Sequence, residues 1–266
     1  MIAIVRGDAP LIVSIPHAGT EIPDDLLGDV HSVARARHDA DLYIDRLYDF
    51  ARQLGATIFR TTISRTVIDM NRDPSGVSLY PGQTTTDLCP LTTFDGEPLW
   101  RPGREPDAAE IERRKHLYFE PYHAALQGEI DRLRARHKAI VLYEAHSIRS
   151  FAPRLFDGEL PQFNIGSNDG RSCDDTLTRA VERICDRSGG SWITNGRFKG
   201  GWTTRHYGQP AKGVHAIQME LSMRGYLDEV GPHDWPPPWD EARAAPMQSV
   251  LLPILSACIG FAEGQP

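Results

Sequence analysis

Short apolar runs that end abruptly in polar side chains constrain the fold of this chain more than any other feature. The clearest is VLYEAHSIRS, residues 141–150, where the run meets Glu144 and His146. Three other β-rich segments, LIVSIP, TVIDM and AIQMELS, contain or precede polar groups in the same way. The polar residues of these four segments are His17, Asn71, Arg72, Glu144, His146 and Glu220. Ligands of open α/β sheets bind beyond the carboxyl ends of the strands, so we expect these side chains to meet at one crevice.

Segments with helical periodicity lie between the β-rich ones. They span residues 41–55, 107–137, 174–185 and 242–262, with Asp107 capping the second helix and Pro121 kinking or dividing it. Residues 79–106 are rich in Pro, Gly and Thr, and we expect an ordered loop there. The alternation predicts an α/β fold, a single domain over residues 1–266 with a mixed, mostly parallel sheet flanked by helices.

Charge and cysteine content argue against several classes of protein. A formal net charge of -7 is atypical of a chain whose main task is to neutralise nucleic-acid phosphates. Since no segment resembles an export signal or a membrane span, we expect a cytoplasmic protein that binds neither nucleic acid nor membrane. The four cysteines follow no CxxC pattern, which predicts reduced structural thiols. A small anionic substrate is compatible with this composition, because a few local arginines can hold it.

Two histidines and two acids at strand ends suit metal-assisted hydrolysis. Two imidazoles and a carboxylate oxygen form a common hydrolytic zinc set with an open position for water, and a separate carboxylate can accept the proton of that water. Each residue taken alone also has a structural interpretation, but their joint position at strand ends favours a site. The paired glycines of FKGGW match no phosphate-binding pattern, and we interpret them as a turn that shapes the crevice.

The motifs of this chain resemble those of the N-formylglutamate amidohydrolase family over nearly its whole length. The resemblance is carried by SIPHAGTEIP, DADLYIDRLYDFA, SRTVIDMNRDP, LYPGQTTTDLCPLTTFDGEPLW, EAHSIRS and FKGGWTTRHYGQPAKGVHAIQMELS. More distantly, the order of His, Asn-Arg, His and Glu is similar to that of the zinc carboxypeptidase and aspartoacylase group. The resemblance implies a zinc carboxypeptidase/phosphorylase-hydrolase-like fold, and hydrolysis of N-formyl-L-glutamate to formate and L-glutamate in histidine degradation.

The resemblance also implies a metal site with one zinc ion, or another divalent metal, bound by His17, Asp41 and His146. Asp41 lies in the motif DADLYIDRLY, where the family carries an acid. The distant relatives use an HxxE spacing that this chain lacks, so Asp39 and Glu21 are alternatives for the third ligand.

The acidic residue that catalyses hydrolysis in the family would correspond to Glu220 in this chain. It would act as the general base toward the hydrolytic water and then pass the proton to the departing amine. Glu144 would orient His146 without contacting the metal itself, or it would instead bind another group. His206 and His215 are candidates to stabilise the oxyanion.

Arginines are the expected partners of a substrate that carries two carboxylates. Asn71 and Arg72 match the Asn-Arg pair that holds a substrate carboxylate in the distant relatives. Arg149, three residues after His146, together with Arg65 and Arg205, are candidates for the other carboxylate. Any one of them, taken alone, could instead form an ordinary surface ion pair.

Two other functions fit the same residues. A hydrolase of another N-acylamino acid or small peptide would use the same zinc chemistry, with a different pocket contact. A noncatalytic protein could use the same groups to bind a dicarboxylate without metal. The metal requirement and the effect of the substrate's side-chain carboxylate distinguish these hypotheses.

Overall fold

The computed structural model describes residues 1–229 and 235–265 of the chain. The predicted domain of residues 1–266 therefore includes residues 230–234 and 266, which lie outside the described residues. The strands are β1 Ile2–Val5, β2 Leu11–Ile15, β3 Thr57–Thr61, β4 Ile140–Ile148, β5 Phe163–Gly166, β6 Trp192–Thr194 and β7 Val214–Ser222. The α-helices are α1 Asp24–Leu27, α2 Val33–Arg37, α3 Ile44–Leu47, α4 Ala108–Arg114, α5 Glu120–Arg134, α6 Asp175–Arg187, α7 Trp202–Tyr207 and α8 Glu241–Glu263.

The strands form one mixed sheet in the order β1, β3, β2, β4, β7, β5, β6. Strands β3, β2, β4 and β7 are parallel to their neighbours in this series. Strand β1 pairs antiparallel with β3 at one side, and β5 pairs antiparallel with β7 at the other. The predicted α/β fold with a mixed, mostly parallel sheet is confirmed, and the carboxyl ends of β2, β4 and β7 lie side by side.

Alternating residues of β4 face two separate hydrophobic cores. Val141, Tyr143 and Ala145 pack into one core together with residues of α6 and α8. Ile140 and Leu142 belong to the other core, which includes the apolar side of α5. Side chains alternate along a strand, so Glu144 and His146 continue the second series where the core ends. All nine residues of the strand are buried, which explains why a nearly continuous apolar run turns polar only near its end.

The helix predicted for residues 41–55 is wrong for most of its length. Tyr43 has φ 56°, a left-handed conformation, so the regular helix is limited to Ile44–Leu47 and a 3₁₀ segment, Asp49–Leu54, follows it. The apolar spacing is nevertheless satisfied, because Ile44 and Leu47 are fully buried. Short helical turns bury the same side of a segment as a continuous helix does.

The helix predicted for residues 107–137 is confirmed with a local change. The Asp107 side chain accepts a hydrogen bond from the Glu110 backbone N–H at 2.8 Å, so Asp107 caps α4 as expected. A π-helical turn, Lys115–Phe119, joins α4 to α5. Pro121 lies in the first turn of α5, and the wider turn before it accommodates the missing N–H. The helices predicted for residues 174–185 and 242–262 correspond to α6 and α8.

Several elements have weaker sequence signals. The β-rich segment TVIDM, residues 66–70, does not form a strand but consists of turns and irregular backbone, and an isolated bridge between Glu21 and Ile63 precedes it. Strands β1 and β5 and helix α7 were not predicted, and each has only four to six residues. Residues 79–106 form an irregular loop that buries Trp100, whose Nε1–H donates to the Pro90 carbonyl at 2.8 Å.

Helix α8 is long and apolar enough to cross a membrane by length and composition alone. Its residues Leu251, Leu255 and Cys258 are instead buried in the core against α6 and the sheet. It is therefore a core helix of a globular domain. The four cysteines are free and buried, as predicted from their spacing.

Candidate active site

Three strand ends bring their polar side chains to one cavity. His17 follows β2, while His146 of β4 and Glu220 of β7 are direct neighbours in the parallel register. All three are buried, with relative exposures of 3%, 2% and 7%. They line a single cavity together with Asn71, Arg72 and Arg65. The crevice expected from the sequence is present at the carboxyl end of the sheet.

His17, Asp41 and His146 form a cluster that could hold a metal ion. One potential ligand atom from each residue lies within 4.8 Å of the others. Asp41 Oδ2 is 3.1 Å from His146 Nδ1 and 3.8 Å from His17 Nδ1. The Asp41 backbone N–H donates to the His17 carbonyl, and Asp41 Oδ2 accepts from the Ser147 backbone N–H, both at 3.0 Å. The backbone around β2 and β4 thus fixes the carboxylate between the two rings.

The orientation of His17 leaves one ring nitrogen available for a ligand. Its Nε2 lies 2.7 Å from Asp69 Oδ1, which can accept the ring N–H. Its Nδ1 is buried and has no hydrogen-bond partner among the described residues. Burial and, next, the Arg65 guanidinium lower the pKa of His17, which favours the neutral ring with a free lone pair. A neutral imidazole backed by a carboxylate is a common metal ligand.

His146 occupies a site that already favours positive charge. Burial alone would lower the pKa of His146, but the hydrogen bond with Asp41 and the nearby negative charge of Glu144 outweigh it and raise the pKa to about 10. Glu144 Oε1 lies 3.7 Å from His146 Nε2 and has no hydrogen-bond partner of its own among the described residues. The other oxygen, Oε2, accepts from the Thr204 hydroxyl at 2.7 Å. A divalent cation can replace the proton on His146, because the surrounding carboxylates stabilise either charge.

Four buried carboxyl groups lie in or around the cluster, and the guanidinium groups of Arg65 and Arg72 lie close to two of them. The carboxyl groups are those of Asp41, Asp69, Glu144 and Glu220. Arg65 lies 2.7 Å from Asp69 Oδ2 and 3.5 Å from Asp41 Oδ1, and Arg72 lies 3.8 Å from Asp69 Oδ2. The nitrogen and oxygen atoms of the cluster are ligand types that suit a bound zinc ion.

Glu220 differs from the other three acids. Burial raises its pKa, the positive charge of His146 opposes that shift, and the net pKa is about 8. No other protein group donates a hydrogen bond to its carboxylate among the described residues, in contrast to Asp41 and Asp69. Its carboxylate therefore remains free to exchange a proton near neutral pH.

The two alternatives to Asp41 lie outside the cluster. Asp39 Oδ2 accepts from the Phe94 backbone N–H at 2.7 Å, and its Oδ1 lies 3.6 Å from Arg149. Glu21 is exposed and hydrogen-bonded to Thr62. Asp41 is therefore the acid that the fold places between the histidines.

The predicted substrate arginines divide into two groups. Arg72 and Arg65 line the cavity, although Arg65 is already paired with two acids. Arg149 does not line it and pairs with Asp95 at 2.9 Å. Arg149 is an odd number of residues from His146, so an extended chain directs it away from the site. Arg205 also lies outside the cavity lining, where it donates to the backbone carbonyls of residues 200 and 79.

The two candidate oxyanion histidines lie outside the cavity lining as well. His206 stacks on Trp202 with ring centroids 4.1 Å apart. His215 packs edge-on against Phe261, and its Nδ1 accepts from the Asp174 backbone N–H at 3.2 Å. Both rings have structural contacts that account for their positions.

The paired glycines of FKGGW allow a close approach to Asn71. A Cβ on Gly201 would lie 2.2 Å from Asn71 Nδ2. The Asn71 Oδ1 accepts from the Thr203 backbone N–H at 2.9 Å, and its Nδ2 lies 3.1 Å from His146 Nε2. This turn therefore shapes the crevice by holding the Asn71 amide in place.

Sequence reasoning missed four residues of the site. Gln218 lies two positions before Glu220 in β7, so strand alternation could have indicated it, whereas Asp69 lies in the irregular segment after β3, where no such period applies. Gln218 Oε1 accepts from the Gly201 backbone N–H at 2.8 Å. Tyr80 and Arg197 also line the cavity, but they come from irregular segments without a periodic signal.

Comparison with known proteins identifies similar chains over almost the whole length. The family model for N-formylglutamate amidohydrolase matches residues 9–227. The N-formylglutamate deformylase of Pseudomonas putida is 44% identical over 257 residues, which are 96% of this chain and 94% of that protein. The N-formylglutamate deformylase of Pseudomonas aeruginosa is 43% identical and covers 96% of both chains. The crystal structure of N-formylglutamate amidohydrolase from Ralstonia eutropha JMP134 has a TM-score of 0.79 and 25% identity, covering 98% of this chain and 97% of that one.

Proposed function

The chain belongs to the N-formylglutamate amidohydrolase family, and on this premise we propose that it hydrolyses N-formyl-L-glutamate to formate and L-glutamate with zinc as its cofactor. One observation carries the proposal. The buried cluster of His17, Asp41 and His146 faces the same cavity as Glu220, an acid with a pKa of about 8. The identity of the substrate is inferred from the N-formylglutamate deformylases that this chain resembles, and the arginines of the cavity suit its negative charge.

His17, Asp41 and His146 would hold one zinc ion through two imidazole nitrogens and a carboxylate oxygen. When bound there, the ion supplies Lewis-acid polarisation of the formyl oxygen and lowers the pKa of water. Asp69 would fix the His17 ring, since it accepts from Nε2 at 2.7 Å. Glu144 would fix the His146 ring from the opposite side to Asp41. Other divalent cations fit the same ligand types, with zinc favoured by the two imidazoles.

Glu220 would move the proton during hydrolysis. As a carboxylate it accepts a proton from the attacking water, and the new C–O bond forms at the formyl carbon. It then gives that proton to the amide nitrogen as the C–N bond breaks, which releases formate and the amine of L-glutamate. A pKa near 8 suits both halves of this cycle, because the group must accept and release a proton at similar pH.

Asn71 and Arg72 would bind a carboxylate of the substrate. The Asn71 amide lies beside His146, and Arg72 lines the cavity next to it. Arg72 donates from Nε and Nη2 to Thr86 of the loop at 3.0 Å and 2.8 Å, which orients its guanidinium group. This pair would place the formyl group toward the histidine cluster. The family context adds an expectation of cytoplasmic amino-acid catabolism, with histidine degradation as the source of the substrate.

Formate release tests the proposal directly. Chelator-treated protein is assayed with N-formyl-L-glutamate before and after one equivalent of zinc is added. We expect release only with zinc, with loss of zinc binding in His17→Ala and full binding in His116→Ala, because His116 is an exposed histidine far from any strand end. Release that is unaffected by metal removal would contradict the zinc requirement. No release in either condition would contradict the substrate.

A further inference from the structure

A third arginine of the cavity, Arg197, has no acid partner among the described residues. Arg65 lies within 3.5 Å of two carboxylates, and Arg72 lies 3.8 Å from one. Arg197 lines the same cavity and is half-buried, yet its hydrogen bonds go only to backbone carbonyls. Its guanidinium group therefore forms no direct ion pair within the described part of the protein.

The Arg197 guanidinium is nevertheless held in a fixed position. Its Nε donates to the Leu155 carbonyl and its Nη2 donates to the Thr84 carbonyl, both at 2.7 Å. The group lies 5.4 Å from the centroid of the Tyr80 ring and 5.3 Å from that of Phe198. These contacts leave Nη1 without a hydrogen-bond partner among the described residues. The group is thus oriented before any ligand binds, which reduces the entropy lost on binding.

The surroundings of Arg197 favour an anion. Burial lowers the pKa of Arg197, Tyr80 and Glu220 oppose that shift, and the positive charge of Arg72 adds to it. Two like charges on one cavity wall repel each other, and a ligand carboxylate between or beside them relieves that repulsion. Charge-assisted hydrogen bonds to a carboxylate are about twice as strong as neutral ones, so an anion gains most at this position.

The spacing of the two arginines suits a short dicarboxylate. Arg197 is anchored to Thr84 and Arg72 to Thr86. Two residues of extended chain span at most roughly 7 Å, so the two anchor points lie on the scale of one small molecule. Arg72 adjoins Asn71, whose amide lies 3.1 Å from His146 Nε2, whereas Arg197 contacts the loop two residues earlier, at Thr84. A second carboxylate, at the end of a short side chain, fits that position.

We propose that Arg197 binds the side-chain carboxylate of the substrate and sets the preference for an acidic over a neutral side chain. This inference rests on the proposed function, since it concerns the same cavity. Arg197 lies outside the Asn-Arg pair that resembles the substrate-binding motif of the zinc carboxypeptidases. Arg65, by contrast, serves to hold Asp41 and Asp69.

The test compares two substrates that differ only in side-chain charge. kcat/KM for formate release is measured with N-formyl-L-glutamate and N-formyl-L-glutamine, in the zinc-loaded wild type and in Arg197→Gln. We expect the variant to lose about 10- to 100-fold with the acidic substrate, which is the usual range for a charged hydrogen-bonding partner. With the amide substrate we expect a change of no more than about threefold, because Arg197 has no charge to pair there. Arg197→Lys keeps the charge without the planar fork and should retain part of the preference.

Arg205→Gln is the matched control for a purely structural effect. Arg205 also donates to two backbone carbonyls and lies 4.8 Å from the Tyr80 ring, but it does not line the cavity. Its variant should change both substrates by the same factor. An equal loss with both substrates in Arg197→Gln would show that Arg197 only supports the loop, and would overturn the proposal.

A binding measurement separates this inference from the proposed reaction. Calorimetric titration of wild type and Arg197→Gln with L-glutamate and with L-glutamine requires no turnover. A wild-type preference for L-glutamate that disappears in the variant supports the role of Arg197, even if no formate is released. Equal binding of the two amino acids by the wild type overturns it, whatever the activity toward N-formyl-L-glutamate.

Discussion

Replacement of Gly201 by alanine tests whether the turn before α7 positions the Asn71 amide. The added Cβ would lie 2.2 Å from Asn71 Nδ2 and 2.4 Å from its Oδ1. These distances are far below van der Waals contact, so either the turn or the Asn71 side chain must move. Movement of the amide breaks its hydrogen bond from the Thr203 backbone and its contact with His146. The structure therefore predicts a loss of both stability and activity from one methyl group.

The magnitude follows from the two polar contacts that are lost. Each buried group left without a partner costs about 1–3 kcal/mol, so we expect the free energy of unfolding to fall by about 2–6 kcal/mol. Activity should fall as well, because Asn71 and the adjacent Arg72 line the cavity. Neither effect requires any change in His17, Asp41 or His146.

The assay is urea unfolding of the zinc-free protein, combined with kcat/KM for formate release from the zinc-loaded protein. Gly128→Ala is the matched control, since a Cβ at this exposed position of α5 meets nothing within 4 Å. Alanine in a helix interior is favoured over glycine by about 0.5–1 kcal/mol, so the control should gain stability. A Gly201→Ala protein that is as stable and active as the wild type would refute the role assigned to the turn.

Three further changes test other contacts of the site and its support. Asp69→Asn should weaken zinc binding about 10- to 100-fold, measured by competition with a chelator, because Asp69 accepts from the His17 ring; unchanged affinity would exclude this role. His123 is held neutral because burial lowers its pKa to about 3 from 6.5, so the unfolded chain gains a proton below pH 6.5 and the folded chain does not. The stability linked to this group is fully present above pH 6.5, and about 2 kcal/mol of it is lost by pH 5. The unfolding free energy of His123→Gln should therefore fall about 2 kcal/mol less than that of the wild type between pH 7.5 and 5. Thr204→Val removes the hydroxyl that donates to Glu144 at 2.7 Å and should lower unfolding free energy by about 1–3 kcal/mol, whereas unchanged stability would show that the bond contributes nothing.

The strand ends were predictable because alternation and polarity together fix which face a residue occupies. His146 and Glu220 occur near the ends of long buried strands, and the parallel register places them side by side. Their convergence with His17 follows from the sheet order, in which β2, β4 and β7 are neighbours. The strong signal comes from buried strands, where a polar residue is unusual.

The sequence could not distinguish among nearby acids or arginines by spacing alone. Asp39 and Asp41 are two residues apart, and only the irregular backbone around them decides that Asp41 enters the cluster while Asp39 binds Phe94. Arg149 is close to His146 in sequence but is directed to Asp95. The position of Arg197 depends on loop contacts with Leu155 and Thr84, which no local pattern encodes.

Apolar periodicity also could not predict whether a helix is continuous. The apolar spacing of residues 41–55 suits a helix, but Tyr43 adopts a left-handed conformation and 3₁₀ turns bury the same side chains. Pro121 suggested a kink, and the chain instead forms a π-helical turn that lets α4 and α5 continue. In both cases burial of one face was predictable, whereas the backbone path that achieves it depends on tertiary packing.

The central claim is that Glu220 moves the proton at a metal site built by three other residues. The most direct measurement is the zinc content and the formate-release kcat of Glu220→Gln in parallel with the wild type. We predict one zinc ion bound per chain in both proteins and a kcat lowered about 10²- to 10⁴-fold in the variant, the usual contribution of a general base. A variant that binds zinc and retains the kcat of the wild type would contradict the claim.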